Sequence, residues 1–152
     1  MKAFRILTAV VSFGVILIIN GCGGKSTPAE STQEKQLKLL TQTWKISTVT
    51  LDGTDQSTIN PWTGFQLTIS GDPTAATYNY SCANRAKIGP WQASGTWKFG
   101  TDPVTQIIRI EDNLIMTYTV TATTLQLNFN YSGNGYTRVN NVTGNWVFNF
   151  TL

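Results

Sequence analysis

From residue 43 onward, large apolar side chains alternate with polar ones along much of the chain. The segment 125–131 reads Leu-Gln-Leu-Asn-Phe-Asn-Tyr, and the segment 146–152 keeps its large residues at even positions. A period of two is typical of β-strands that bury one face. The pattern predicts eight strands, at about residues 43–51, 64–70, 75–81, 92–99, 104–110, 113–121, 124–131 and 142–151.

The first of these strands changes parity along its length. Trp44 and Ile46 share one parity whereas Val49 and Leu51 share the other, so we expect a β-bulge near Ser47. Just before it, Gln33 to Leu40 places two leucines on one side of a helical turn, with Thr32 as its cap. A short N-terminal helical turn therefore precedes the strands.

Eight consecutive strands with short connections predict an all-β, eight-stranded antiparallel up-and-down meander. The strands form either a small closed barrel or a flattened sandwich. The inward positions are expected to be apolar throughout: Trp44, Ile46, Phe65, Leu67, Tyr78, Trp97, Phe99, Met116, Leu127, Phe129, Trp146 and Phe148. Because so many of these are large rings, we expect a mostly filled interior and at best a shallow pocket under the long loops.

The N-terminus has the pattern of an export signal. Lys2 and Arg5 precede an uncharged, mostly apolar run over 6–19, whose 14 residues match a signal-peptide core and are too few to span a bilayer as a helix. The sequence Ile19-Asn20-Gly21-Cys22 resembles a bacterial lipobox, which implies a diacylglycerol thioether and an N-acyl chain on Cys22. An ordinary secretory signal cleaved nearby is the alternative. We therefore expect a signal peptide over 1–21, a lipidated flexible tether over 22–36 and one β-domain over 37–152.

Several chemical functions are disfavoured by composition. The letters Gly24-Lys25-Ser26 end a phosphate-binding loop, but its first glycine is replaced by Ile19. Without Lys2 and Arg5, nine basic and eight acidic residues remain, so no basic field argues for nucleic acid.

Catalytic and metal sites are disfavoured for the same kind of reason. The chain has no histidine, and Cys82 is its only cysteine besides Cys22. Cys82 therefore has no histidine to activate it as a nucleophile. The carboxylates of the β-domain all fall in turns or at strand ends, where no desolvated acid pair is expected. We predict no catalytic residue, no metal and no cofactor.

A tryptophan-centred pattern occurs three times, as LTQTWKI at 40–46, ASGTWKF at 93–99 and VTGNWVF at 142–148. Such strands fill a small barrel with large rings. Together with TWKISTVTLDG, these segments resemble the small lipocalin-like lipoproteins of Bacteroides-type bacteria, a domain of unknown function. The resemblance covers 37–152. It implies a lipocalin-like barrel and says almost nothing about activity.

An up-and-down meander places its connections alternately at two ends. One end receives tight turns and the N-terminal tether. The other receives the longer loops 52–63, 82–91 and 132–141, where binding residues tend to concentrate. The candidate ligand-binding residues in these loops are Trp62, Arg85, Trp91, Tyr136 and Arg138. The two tryptophans are either a stacking platform for a ligand or a plug that fills the barrel end, and the basic residues are otherwise solvated loop charges.

These patterns together predict a lipid-anchored, non-enzymatic binding protein of the bacterial cell envelope, at the outer membrane. Its ligand would be a small apolar or aromatic molecule at the long-loop end. The alternative is a protein-interaction or structural lipoprotein whose long loops form the contact surface. A membrane-spanning barrel is disfavoured because Gln126, Asn128 and Asn145 would face lipid.

Overall fold

Hydrogen bonds between the first and the last long strand close one antiparallel sheet into a barrel. The computed structural model describes residues 29–56, 62–134 and 142–152. Within these ranges, the elements are α1 (Thr32–Leu40), β1 (Thr43–Leu51), β2 (Thr54–Asp55), β3 (Gln66–Ser70), β4 (Tyr78–Ala83), β5 (Ser94–Phe99), β6 (Gln106–Arg109), β7 (Leu114–Val120), β8 (Thr124–Tyr131) and β9 (Gly144–Thr151).

Eight of these strands form the barrel, in the order β1-β3-β4-β5-β6-β7-β8-β9, and β1 returns to pair with β9. The predicted all-β meander is therefore confirmed, and the closed barrel is the correct one of the two predicted forms. The architecture is consistent with a lipocalin-like small barrel. The short β2 was not predicted, because its two residues are both exposed and carry no alternation.

Strand β1 serves two neighbours, and a bulge allows it to do so. Its first residues pair with β3, and its later residues pair with β9 and β2. The register against β9 shifts between Ile46 and Thr48, which confirms the bulge predicted near Ser47. The bulge returns Val49 to the interior after Trp44.

The core is a continuous cluster of aromatic and aliphatic side chains inside the barrel. The residues predicted to face inward are buried, except for Ile46, which is half-buried. The prediction that the inward face is apolar throughout is wrong at one position. Arg109, on β6, points to the same side as Ile107 and is only 2% exposed.

Helix α1 covers the tight-turn end of the barrel. Leu37 and Leu40 are buried, and the Trp44 indole donates a 2.9 Å hydrogen bond to the Leu40 carbonyl. The helix begins one residue earlier than the sequence pattern indicated, since its cap is Ser31 and not Thr32. Ser31 and Glu34 form a reciprocal capping box. No helix in the described ranges is long and apolar enough to cross a membrane.

Candidate functional site

Trp62 and Trp91 lie inside the long-loop end of the barrel. Each is 3% exposed. The Trp62 ring meets Phe65 and Phe148 edge-on, with centroids 5.2 and 5.1 Å apart. A Cβ added at Gly89 would come within 2.6 Å of the Trp62 ring, so the loop after β4 crosses directly over this ring. The arrangement is that of a plug, and neither ring presents a free stacking face to solvent.

The structure describes one more of the candidate binding residues. Arg85 is half-buried, and its Nη1 donates a 3.2 Å hydrogen bond to the Trp91 carbonyl, which braces the loop between β4 and β5. Tyr136, Arg138 and the lipidation candidate Cys22 lie outside the described residues. Their predicted roles stay predictions.

Arg109 is the residue at this end that the sequence analysis missed. Its Nε and Nη2 donate to the two carboxylate oxygens of Asp112 at 2.9 and 2.6 Å, and its Nη1 donates to the Pro90 carbonyl at 2.9 Å. The guanidinium carbon also lies 5.6 Å from the ring centre of Trp91 and 5.8 Å from that of Tyr131. This one side chain connects the β6–β7 turn, the loop before β5 and the end of β8.

The electrostatics of the Arg109–Asp112 pair follow from burial and proximity. Burial disfavours the charged form of each group, but the hydrogen bonds and the opposite charge offset it. The pKa of Arg109 is raised and the pKa of Asp112 is lowered. Both stay charged at neutral pH. Asp112 is thus the ion-pair partner of a buried arginine.

The other acidic groups at this end also accept hydrogen bonds from the protein. Glu111 accepts hydrogen bonds from the Thr96 backbone amide and hydroxyl, and Asp52 accepts one from the Asn145 backbone amide at 2.8 Å. Among the described residues, no group of three or more His, Cys, Asp or Glu side chains could hold a metal ion. Burial raises the pKa of Cys82 to about 12, so its sulfur is a thiol at neutral pH.

A small chamber remains in the middle of the barrel. Its volume is about 20 Å³, and it is bordered by residues that include Tyr80, Trp91, Trp97 and Arg109. This volume suits about one water molecule, whereas sites for small ligands occupy ~300–1,000 Å³. The Tyr80 hydroxyl and the indole nitrogens of Trp91 and Trp97 are buried without a hydrogen-bond partner in the described structure. The surface of the chamber itself is apolar, so these polar atoms do not open onto it.

A much larger concavity lies on the outside of the barrel, across β7, β8 and the start of β9. We call it the outer groove. Its volume is about 650 Å³, and its lining includes Ile115, Thr117, Asn128, Asn130, Tyr131 and Asn145. Asn130 and Asn145 stand directly opposite each other on adjacent strands, and Thr117 stands opposite Asn128. Asp112 is the charged residue among its lining, and its carboxylate is paired with Arg109.

A second depression lies further along the same outer face, toward the tight-turn end. It measures about 360 Å³ and is bordered by Thr119, Gln126 and Asn149, among others. The amide of Gln126 donates to Asn149 at 2.8 Å, and Asn149 donates to the Thr48 hydroxyl at 2.8 Å. These bonds fix the side-chain amides of Gln126 and Asn149 within the second depression.

The outer groove lies on strands and not on the long loops where binding residues were expected. A signal was present, because β7, β8 and β9 contain no charged residue. No family model, curated protein or solved structure matches this chain.

Proposed function

We propose that this protein is a lipid-anchored, non-enzymatic binding protein of the bacterial cell envelope that recognises its ligand on the outside of the barrel. The observation that carries the proposal is a contrast of volumes. The interior chamber measures about 20 Å³, whereas the outer groove measures about 650 Å³. A small apolar molecule inside the barrel would have to displace Trp91 and break the hydrogen bonds of Arg109 to Asp112 and Pro90. We therefore assign recognition to the outer surface of the barrel.

The anchor part of the proposal rests on the export signal and Cys22 in the sequence. Two or more acyl chains on Cys22 would hold the protein stably at a membrane. The chain enters the barrel through α1, at the tight-turn end. The outer groove lies toward the opposite end of the same strands, which would direct it away from the anchoring membrane.

The absence of catalysis is supported by how the reactive groups are used. The chain lacks histidine. Asp112, Glu111 and Asp52 each hold a neighbouring protein atom, and the Cys82 thiol is held in its unreactive protonated form.

Metabolic labelling tests the anchor. A cell that expresses the full chain is fed an alkyne fatty acid, and the protein is expected to carry the label and to sediment with membranes. Cys22→Ser is expected to lose both properties, and the control Cys82→Ser is expected to keep them. Label on Cys22→Ser, or a soluble wild-type protein, would refute the lipid anchor.

A photo-crosslinking amino acid tests surface recognition. Placed at Thr117, in the outer groove, it should capture a ligand or partner in intact cells. Placed at Asn79, on the outward side of β4, it should capture less. Equal capture at both positions would contradict the assignment of the groove.

One observation favours a protein partner as the second candidate. Ile115 lies in the outer groove and is 56% exposed, which is high for a large apolar side chain. Crosslinking from Thr117 to one envelope protein would favour this candidate, and its loss in Ile115→Ser would place the contact.

A further inference from the structure

We propose that the outer groove binds a neutral saccharide chain. This inference rests on the proposed function, since it names the ligand class of the same surface. The ligand would lie across β7, β8 and β9 and extend toward the second depression. Three properties of the face point to it: its charge, its hydrogen-bonding groups and its closed backbone.

The outer face lacks charge. Strands β7, β8 and β9 contain no Lys, Arg, Asp or Glu, although charged residues make up 12% of the chain. The carboxylate of Asp112 at the groove is neutralised by Arg109. Such a surface offers nothing to a phosphate, a sulfate or a uronic acid, because an anion that leaves water needs a cation or a dense set of donors. A neutral ligand needs no such partner, so the lack of charge does not disfavour its binding.

The hydrogen-bonding groups of the groove suit hydroxyls. A carboxamide donates through nitrogen and accepts through oxygen, and a sugar hydroxyl also does both. The side-chain amides of Asn128, Asn130 and Asn145 make no hydrogen bond to any described residue, whereas Gln126 and Asn149 on the same face are bonded to each other. Because Asn130 and Asn145 face each other across the ladder, their Cβ atoms are ~5 Å apart, which puts two free amides side by side.

Tyr131 marks the long-loop end of the groove. Its hydroxyl donates to the Asn134 carbonyl at 3.1 Å, and the Arg109 guanidinium lies against its ring. Tyr131 shares the strand parity of Leu127 and Phe129, so its ring packs against the core and leaves the outer face to the amides. Hydrogen bonds from these amides to hydroxyl groups therefore carry the proposed recognition.

The backbone argues against an extended peptide. A peptide that adds a strand needs a free sheet edge, but β8 is paired on both sides and β7 and β9 are paired with β6 and β1. Protein interfaces rely on clustered aromatic and arginine anchors. Among the described residues of the groove, Ile115 is the exposed large apolar side chain, and one such residue is not a cluster of anchors.

The test uses the full lipidated chain in detergent micelles and isothermal titration with three neutral polysaccharides, namely an α-glucan, a β-glucan and a mannan. Polygalacturonate serves as the acidic comparison. We expect at least one neutral polymer to bind, with an affinity that is unchanged between low and high salt, and no binding of the acidic one.

Asparagine-to-alanine variants test where the polysaccharide binds. Asn128→Ala combined with Asn145→Ala is expected to weaken binding at least about tenfold, since it removes hydrogen bonds with no effect on the core. Asn79→Ala, the same substitution on the opposite wall, is expected to have no effect. Melting temperatures show that both variants fold.

Three results would overturn the inference. These are equal loss in Asn79→Ala, binding of the acidic polymer alone, and binding of no polymer while Thr117 crosslinks to a protein. The last result leaves the proposed surface recognition intact. If no polymer binds and Thr117 captures nothing, both proposals fail.

Discussion

The Arg109 guanidinium makes three hydrogen bonds in a place where water has little access. At the residue scale it joins two connections of the barrel, because its partners Asp112 and Pro90 belong to different loops. Removing one partner of a buried ion pair leaves an uncompensated charge, and this costs more than the pair itself contributes. The long-loop end should therefore respond sharply to changes at this pair.

We expect Asp112→Ala to lower the free energy of unfolding by about 3 kcal/mol, at the low end of the range for broken buried pairs. The low end applies because the Asp112 side chain is 32% exposed and water can reach the site. Urea unfolding measures the change. The double variant Arg109→Met with Asp112→Leu should recover much of the loss, since no charge is then buried. A double variant less stable than Asp112→Ala would contradict this account.

Removal of the Tyr80 hydroxyl is expected to leave stability unchanged, in contrast to removal of the Asp112 carboxylate. The Tyr80 hydroxyl is buried and has no partner in the described structure, so Tyr80→Phe should leave stability at pH 7 unchanged or slightly higher. Tyr118→Phe is the matched control. The Tyr118 hydroxyl donates to the Pro103 carbonyl and lies 3.1 Å from Gln36, so its loss should cost about 1 kcal/mol. If Tyr80→Phe costs as much as Tyr118→Phe, then a partner such as a trapped water holds the Tyr80 hydroxyl.

The same residue predicts a pH dependence. Burial raises the pKa of Tyr80 above the ~10 of an unfolded tyrosine. The folded state therefore keeps its proton where the unfolded state loses it, so this contribution is complete below pH ~10 and is lost as the pH rises toward the folded pKa. Wild-type stability, measured by urea unfolding from pH 8 to 11, should fall above pH 10, and Tyr80→Phe should fall less. Identical slopes would show that the other tyrosines carry the effect.

At the element scale, helix α1 depends on its first turn. We expect Ser31→Ala to cost about 1 kcal/mol of helix stability, because the capping box loses its hydroxyl acceptor. Hydrogen exchange of the α1 amides measures this loss. Thr32→Ala should change the exchange much less, since Thr32 lies inside the helix. Faster exchange in Thr32→Ala than in Ser31→Ala would contradict the assignment of the cap.

Some features of the strands and of α1 could be predicted from the sequence, and others could not. Alternation predicted the long strands because a barrel wall buries one face, and the change of parity after Ile46 predicted the bulge. The cap was placed one residue late because Ser31 and Thr32 are both good caps, although Glu34 three residues after Ser31 was the decisive signal. Arg109 was missed because its burial depends on Asp112 and Pro90, which only the folded loops bring together.

At the scale of the whole molecule, the inner and outer surfaces of the barrel wall differ in what the sequence could predict about them. The inward face is mostly filled, as its many large rings predict, and Trp62 and Trp91 fill its long-loop end. The outward face was read only as evidence against lipid contact, and it carries the outer groove. Strand register was needed to see that Asn130 and Asn145 meet. Neither loop composition nor alternation contains that pairing.

A filled interior should open when one large side chain is removed. Leu127 borders the chamber and is fully buried, so Leu127→Ala should enlarge it and cost about 2–5 kcal/mol. An apolar cavity of that kind stays dry and binds benzene. We expect benzene to raise the melting temperature of Leu127→Ala and to leave the wild type unchanged, as followed by thermal unfolding.

Leu125→Ala is the matched control for this prediction. Leu125 is buried on the same strand and the same face, but it does not border the chamber, so benzene should stabilise its variant less. Stabilisation of the wild type by benzene would mean that the interior opens without a substitution. Recognition would then belong inside the barrel. A chamber that takes up benzene by moving Trp91 would be an apolar binding site, although its volume of about 20 Å³ in the structure is too small for one.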